Sequence, residues 1–485
     1  MNAHLGIARA WRFAAGAAGW SGRAAVAAAL FLMAGCASYA PAPIVPAESA
    51  AALEARSLDD AKLGRLIAAL DPEGAAAPGW DLSKLTLAAL YFHPDLDVAR
   101  SRLASSEAGL ITAGERPNPV LRVVPTKHTT ILDPSSWTVG ASLDVIIETA
   151  GKRGHRVAAA EDLTAAARHD LATAAWQARG RVRGALLTLW SAESRRALIE
   201  NRRALQEQLV GLLSRRFAAG EASALDLARE RIALNEASLA LRRADGERAQ
   251  ALAALAAAIG LPAQALEHAP LSLAGFDHAP DLAPDIASGT LRRHALTERS
   301  DIQALLAEYA ASEARLQLEV ARQYPDLVLG PGYTFDQGDN QYTVGLAAEL
   351  PIFNQHQGPI AEAAAKRREA AARFAQLQAQ IVAEIDGAAA AYRAAAATLA
   401  TADTLRQDET ARGQQIERSF RAGGVDRPTL VTAEIELADA DLSRFAAVAD
   451  QRRAIERLED ALQTPLFDPG AALLLPQAVA GAPSS

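Results

Sequence analysis

Apolar and polar residues alternate with period two in two stretches of this chain, and the second repeats the first about two hundred residues later. In Trp137 to Ile147, apolar Trp137, Val139, Ala141, Leu143 and Val145 interleave with Thr138, Gly140, Ser142 and Asp144. Further on, Val344, Leu346, Ala348 and Leu350 interleave with Thr343, Gly345, Ala347 and Glu349. Period two sends alternate side chains to opposite faces of a strand. Each stretch has a partner upstream, Val120 to Lys127 and Asp326 to Phe335, which predicts two β-hairpins over 119–147 and 326–350. Strands of about ten residues suit a tilted crossing of a bilayer. A soluble sandwich hairpin would show the same alternation, but each copy supplies only two strands.

After each hairpin the period changes. No proline occurs from Ser135 to Leu261, and Lys152 to Ala218 reads as one helix about 100 Å long at 1.5 Å per residue. Ile360 to Ala422 is its counterpart, and return helices are predicted over Ser223 to Ile259 and Thr429 to Leu462. In the first return helix Leu225, Ile232 and Leu239 form one heptad stripe, with Leu227, Leu234 and Leu241 beside it. Two adjacent stripes suit a helix with neighbours on both sides, as in a closed helical barrel; a plain coiled coil remains the alternative. A shorter helix precedes each hairpin, Leu85 to Glu115 and Ser288 to Gln323.

These parallels are a tandem duplication. Asp95, Ser106, Glu107, Ala108 and Pro119 recur as Asp301, Ser312, Glu313, Ala314 and Pro325, each 206 residues on. Thr138-Val139-Gly140 recurs as Thr343-Val344-Gly345, 205 on, and Phe217 and Gly220 recur as Phe420 and Gly423, 203 on. The expected organisation is a leader over 1–35, a linker over 36–50 and an N-terminal segment over 51–85. Repeat 1 follows over 86–262, with its helical hairpin at 152–259, then an inter-repeat segment over 263–290. Repeat 2 covers 291–465, with its helical hairpin at 358–462, and a tail covers 466–485.

Composition narrows the function. Half the chain is hydrophobic but only 5 % is aromatic, and Ala, Leu, Glu, Arg and Gln dominate, as in long packed helices. The net charge of −8 becomes about −11 once the arginine-bearing leader is removed, which argues against a nucleic-acid partner. Arg9, Arg12 and Arg23 precede a short apolar run ending in Leu32-Met33-Ala34-Gly35-Cys36. This reads as an export signal resembling a lipoprotein processing site, with Cys36 the expected acylated residue, although Met33 stands where leucine is usual. An ordinary signal with an incidental cysteine is the other reading. Cys36 is the only cysteine, so neither an internal disulfide nor a thiolate cluster is available. The nine histidines are scattered without ligand spacing, and neither a phosphate loop nor a nucleophile elbow is present. No enzymatic activity and no cofactor beyond a lipid on Cys36 are expected.

Four strands, long antiparallel helices and an inexact duplication behind a signal peptide resemble the TolC-like outer membrane factor family. The resemblance covers about 55–465 and implies a mainly α protein with a small membrane β part. It implies a homotrimer whose four strands per protomer close a twelve-stranded barrel, continued by a periplasmic α-barrel. Leu121, Val123, Val139, Leu143, Leu327, Leu329, Val344 and Leu346 would then face lipid. Arg122, Thr138, Ser142, Asp144, Thr343 and Glu349 would face the lumen. "ETAGKRGHRV" (Glu148 to Val157) and "PIFNQHQGPIA" (Pro351 to Ala361) resemble the heavy-metal branch, typified by cobalt–zinc–cadmium resistance channels. The implied role is a passive exit duct for metal cations, with a periplasmic adaptor and an inner-membrane RND pump as partners. Multidrug or type I secretion channels are the alternative, and a lipid-anchored coiled-coil scaffold is the rival of another class.

"RRFAAGEASALDLARE" (Arg215 to Glu230) and "RSFRAGGVDRPTLVTAE" (Arg418 to Glu434) resemble the family's glycine-containing helical tips, which meet the adaptor. Phe217, Gly220, Phe420, Gly423 and Gly424 would lie there, as turn formers, as adaptor contacts, or as both. The family often holds the pore shut with a tip tyrosine bonded to an aspartate. Asp226 matches that aspartate, but Phe420 replaces the tyrosine, so Asp226, Asp426 and Arg427 become the expected gate residues.

Overall fold

The computed structural model describes residues 39–129, 136–280, 282 and 289–466. The leader, Cys36 and nearly all of the tail lie outside the described residues. The chain divides into two units, 1–53 and 54–485. The first contributes α1 (Pro46–Glu54), which ends at the boundary. The second begins with α2 (Ala61–Leu70), α3 (Pro72–Ala76), α4 (Leu82–Phe92) and α5 (Pro94–Gly114). There follow β1 (Val120–Lys127), β2 (Trp137–Ile147), α6 (Lys152–Ala218) and α7 (Ala224–Ile259). Repeat 2 supplies α8 (Thr290–Glu298), α9 (Ser300–Ala321), β3 (Leu327–Asp336), β4 (Asp339–Ala348), α10 (Gln357–Arg421) and α11 (Arg427–Leu462).

The long helices form as their sequence requires. Helix α6 runs for 67 residues and α10 for 65, each without an interior proline beyond its first turn. Exposed turns are laced by pairs such as Arg196–Glu200, Lys366–Glu362 and Arg373–Glu369 at i,i+4. The stretch expected as one helix over 85–115 is broken into α4 and α5. Pro94 opens α5, and the preceding His93 is extended at φ −73°, ψ 125°. The stretch expected over 288–323 is broken at the matching place, Arg299, with φ −55° and ψ 141°. No proline marks that second break. The Arg299 guanidinium instead bonds Asp301 Oδ2, two residues on, at 2.7 Å and the Ala461 carbonyl at 2.7 Å, the second a contact that tertiary packing supplies. Strand β4 ends at Ala348, so Glu349 and Leu350 lie past the strand in which the alternation placed them.

The main core sits where α4 lies against the middle of α6 and the end of α7. Leu85, Leu87, Leu90, Val182, Leu186, Leu189, Leu255 and Ile259 are all buried there. Repeat 2 builds a smaller counterpart from Ala295, Ile302, Ile381, Ile385, Leu458 and Leu462. Leu458 and Leu462 stand 203 residues after Leu255 and Ile259, so the duplication extends to the core. The inter-repeat segment supplies two short 3₁₀ turns, and Leu271 bridges to Trp80 in parallel.

The repeats are joined by a buried ionic cluster between α6 and α11. Arg179, Arg183 and Glu459 are fully buried. Glu459 pairs with both arginines, and Arg183 Nη2 also donates to Asp460 Oδ1 at 2.8 Å. Two glycines one turn apart leave room for the acids: a Cβ on Gly184 would stand 2.6 Å from Glu456 Oε1, and one on Gly180 3.3 Å from Asp460 Oδ1. Removing one partner from a buried pair strands an uncompensated charge. Glu459→Ala is expected to cost about 3–5 kcal/mol, read as a lower melting temperature in detergent. Breaking the exposed Arg195–Glu247 pair should cost under about 1 kcal/mol.

Candidate functional site

The strands form one sheet in the order β1-β2-β3-β4, every neighbour antiparallel. Cross-strand partners share a face. Leu121 stands opposite Leu143, Val139 opposite Phe335, Leu329 opposite Leu346, and Pro331 opposite Val344. Those pairs, with Val123, Ala141 and Leu327, make one face almost wholly apolar. Arg122 stands opposite Ser142, Thr138 opposite Asp336 and Gly332 opposite Thr343, so the other face is polar and glycine-rich. All eight residues expected on the apolar face lie there, and Arg122, Thr138, Ser142, Asp144 and Thr343 share the opposite one. Glu349 lies beyond the strand.

The apolar face is open to its surroundings, with Leu121, Val123, Val344 and Leu346 all exposed. At the end remote from the helices it carries an aromatic band of Trp137, Tyr333, Phe335 and Tyr342. Tyr333 and Tyr342 pack with centroids 5.4 Å apart, and the Lys127 ammonium lies 5.8 Å from the Trp137 ring centre. Tyrosine and tryptophan suit such a position because each has an apolar body and a polar tip. On the opposite face space is tight: a Cβ on Gly332 would stand 2.7 Å from Thr343 Oγ1. Arg122 pairs with Asp144 at 3.4 Å, and Thr138 donates to Asp336 at 2.5 Å. Among the described residues, β1 and β4 each have one edge without a strand partner. No helix among those residues is long and apolar enough to cross a membrane.

The second site is the pair of helical tips. Helix α6 ends with Gly220 N–H bonding the Phe217 carbonyl at 3.0 Å and Glu221 N–H bonding the Arg216 carbonyl at 2.8 Å. Helix α10 ends identically, Gly423 to Phe420 at 3.0 Å and Gly424 to Ser419 at 2.8 Å. Both Gly220 (φ +78°) and Gly423 (φ +77°) are left-handed, the conformation this helix stop requires. Ser223 caps α7 and its hydroxyl donates to Asp226 Oδ2 at 2.6 Å. Asp426 caps α11, accepting from the Thr429 amide at 3.0 Å and its hydroxyl at 2.6 Å. Arg427 lies over the Phe420 ring at 5.8 Å.

Among the expected gate residues, Asp426 and Arg427 stand next to each other at the start of α11, while Asp226 bonds within its own tip. The link between tips is Arg216 Nη1 to Asp426 Oδ2, at 2.5 Å. Sequence reasoning passed over Arg216, although the Arg215-Arg216 pair beside Phe217 was its visible signal. Hydrogen bonds from the Thr429 hydroxyl and then its amide, with help from Arg216, hold Asp426 below the usual carboxylate range.

The profile of the outer membrane efflux protein family matches residues 87–261 and 291–463, one match for each repeat. The chain belongs to that family. It is 30 % identical over 293 residues to the cobalt-zinc-cadmium resistance protein CzcC of Cupriavidus metallidurans, covering 60 % of this chain and 67 % of that one. Its fold matches the outer membrane protein VceC of Vibrio cholerae with a TM-score of 0.63 at 20 % identity, over 79 % of this chain and 95 % of that one. It also matches the CmeC outer membrane channel of Campylobacter jejuni with a TM-score of 0.65 at 16 % identity, over 92 % and 99 %. The protein is thus an outer membrane efflux channel subunit, and its two matched segments coincide with the duplication.

A cap whose carboxylate pKa is depressed stabilises above the unfolded-state value of about 3.9 and loses that stabilisation only as pH falls through the lower folded value. The α11 start should therefore hold from neutral pH down to about pH 4. Asp426→Ala is expected to speed amide exchange at Thr429 to Thr432 at neutral pH without altering exchange in the sheet. Arg216→Ala, which keeps the cap, should change those amides far less.

Proposed function

We propose that this channel is the exit duct of a tripartite RND-type system for heavy-metal cations, assembled as a homotrimer with a periplasmic adaptor and an inner-membrane pump. The observation that carries the trimeric duct is the sheet with one apolar face and two unpaired edges. Unpaired peptide groups at an edge are intolerable in hydrocarbon, and four strands enclose no lumen. Sister subunits satisfy both needs at once, with the apolar face toward lipid, the aromatic band at a bilayer interface and the polar face around the pore. Gly140, Gly330, Gly332 and Gly345 on the polar face suit the concave side of a closing sheet.

The helices support the same assembly. In α7 the stripe of Leu225, Ile232 and Leu239 is exposed, while Leu227 is buried within its own chain. Leu234 and Leu241 of that second stripe are half-buried, so one stripe is covered in part by the chain itself and the other is left for a neighbour. Metal cargo is supported by the likeness to CzcC. It is also supported by the polar strand face, where Asp336 and Asp339 join Asp144, while Arg122 is matched by Asp144. The lipid on Cys36 belongs to this reading too, as the anchor that holds the mature N-terminus at the membrane.

Deleting the gene is expected to lower tolerance to cobalt, zinc and cadmium while leaving tolerance to organic drugs unchanged. The opposite pattern would move the cargo to the drug class. In planar bilayers the purified trimer should carry single-channel currents, and Asp226→Ala, Asp426→Ala and Arg216→Ala should each raise leak conductance. A variant that leaves the leak unchanged removes its residue from the gate.

A further inference from the structure

The end of the sheet remote from the helices holds a group of polar side chains that neither the duplication nor the helical tips account for. His128 follows β1, and its N–H bonds the Ser136 carbonyl at 2.8 Å, which carries the ladder one residue further. Lys127 stands opposite Trp137 on the apolar face, so the alternation puts His128 on the polar one. Thr138 stands opposite Asp336 on that same face. The chain reverses directly after Asp336 through Gln337 (φ +51°) and Gly338 (φ +97°), a two-residue turn that fixes the Asp336 backbone. Asp339 stands opposite Asp336 and belongs to the polar face as well.

Three of these side chains converge. The Thr138 hydroxyl donates to Asp336 Oδ1 at 2.5 Å, and His128 Nε2 lies 2.9 Å from the same hydroxyl oxygen. The one hydroxyl proton goes to the carboxylate, which leaves His128 Nε2 as the donor to Thr138. His128 Nε2 and Asp336 Oδ1 are 4.0 Å apart. Zinc takes an imidazole nitrogen at about 2.0–2.1 Å and a carboxylate oxygen at about 2.0–2.2 Å, so one ion can touch both. To bind it, the neutral imidazole carries its proton on Nδ1 instead. The His128 and Asp336 side chains are 35 % and 38 % exposed, open enough for an ion and its water to arrive. Among the described residues, His128 is the basic side chain paired with Asp336, while Asp339 accepts from the neutral Gln341 amide at 3.3 Å.

Resting on the reading of the polar face as the pore wall, we propose that His128, Thr138 and Asp336 form a seat for a borderline divalent cation such as zinc at the outer mouth of the duct. Nitrogen beside oxygen selects such an ion over magnesium, which takes oxygen ligands. Among the described residues no third histidine, cysteine or acidic side chain closes the site, so water fills its remaining positions and the ion is held loosely. Loose binding suits a conduit, where a site must gather ions and still release them. The seat belongs to one repeat only. Thr334 stands 206 residues after His128, so repeat 2 offers no imidazole at the matching place. Three protomers thus set three seats around the mouth.

Equilibrium dialysis of the full-length protein in detergent against zinc tests the seat, comparing wild type with His128→Gln and Asp336→Asn. Glutamine keeps an N–H for Thr138 but has no imidazole, so the link between strands survives while the ligand is lost. Each variant should keep its trimer size by light scattering and bind one zinc fewer per protomer. In planar bilayers, zinc added on the side of the strand hairpins should interrupt wild-type currents, and magnesium should not. His128→Gln should need at least roughly tenfold more zinc, since losing even a supporting partner of a metal ligand costs that much. Zinc uptake unchanged in either variant overturns the seat, leaves the three side chains a hydrogen-bonded tie and does not touch the duct reading. Zinc lost from both variants with the block unchanged keeps the binding site but takes the polar face off the pore, which overturns the reading beneath it.

Discussion

A β-sheet with one apolar face and two unpaired edges constrains everything else in this molecule. Such a sheet is unsuited to water because of its face, and unsuited to lipid because of its edges. Its alternation leaves no room for a one-residue slip, since a slip would send every leucine to the polar side. The tight glycines on the polar face, the aromatic band at one end and the hairpins of matching length all follow from building a curved wall around a pore.

The helices carry the same problem away from the membrane. Each long helix is too extended to bury its surface against one neighbour, so α6 divides its contacts between its return helix and the opposite repeat, while α10 packs within its own repeat against α9 and α11. The duplication is held together at its centre by charges: Arg179 and Arg183 on one repeat and Glu459 on the other are buried together. Ionic contacts of that kind are directional, and they fix the relative height of two smooth, alanine-rich helices more sharply than apolar packing would. Gly180 and Gly184 give the acids their space.

Much of this was legible in the residues themselves. The bounds of α6 follow from Gly151 and Gly220 and from the missing prolines. The strands follow from period two, and the repeat from offsets that drift by only a few residues. The breaks at His93 and Arg299 were less legible, because only the first carries a proline. Arg299 is held extended by Asp301 beside it and by the Ala461 carbonyl of α11, a partner 162 residues away that no local pattern shows. The tip link from Arg216 to Asp426 was missed for the same reason: it joins residues from different repeats.

Local chemistry, then, was written in the sequence by itself: which segments are helix or strand, which strand residues share a face, and where the helices reverse. These depend on neighbours a few positions apart, and backbone geometry enforces them wherever the segment lies. Only the tertiary structure decided which charges meet, because the Arg179–Arg183–Glu459 cluster and the Arg216–Asp426 link pair residues whose meeting depends on how the two repeats stack. It also showed β4 stopping at Ala348, because its partner β3 begins at Leu327, the residue opposite Ala348, and beyond it the chain turns with Ile352 N–H bonded to the Leu350 carbonyl.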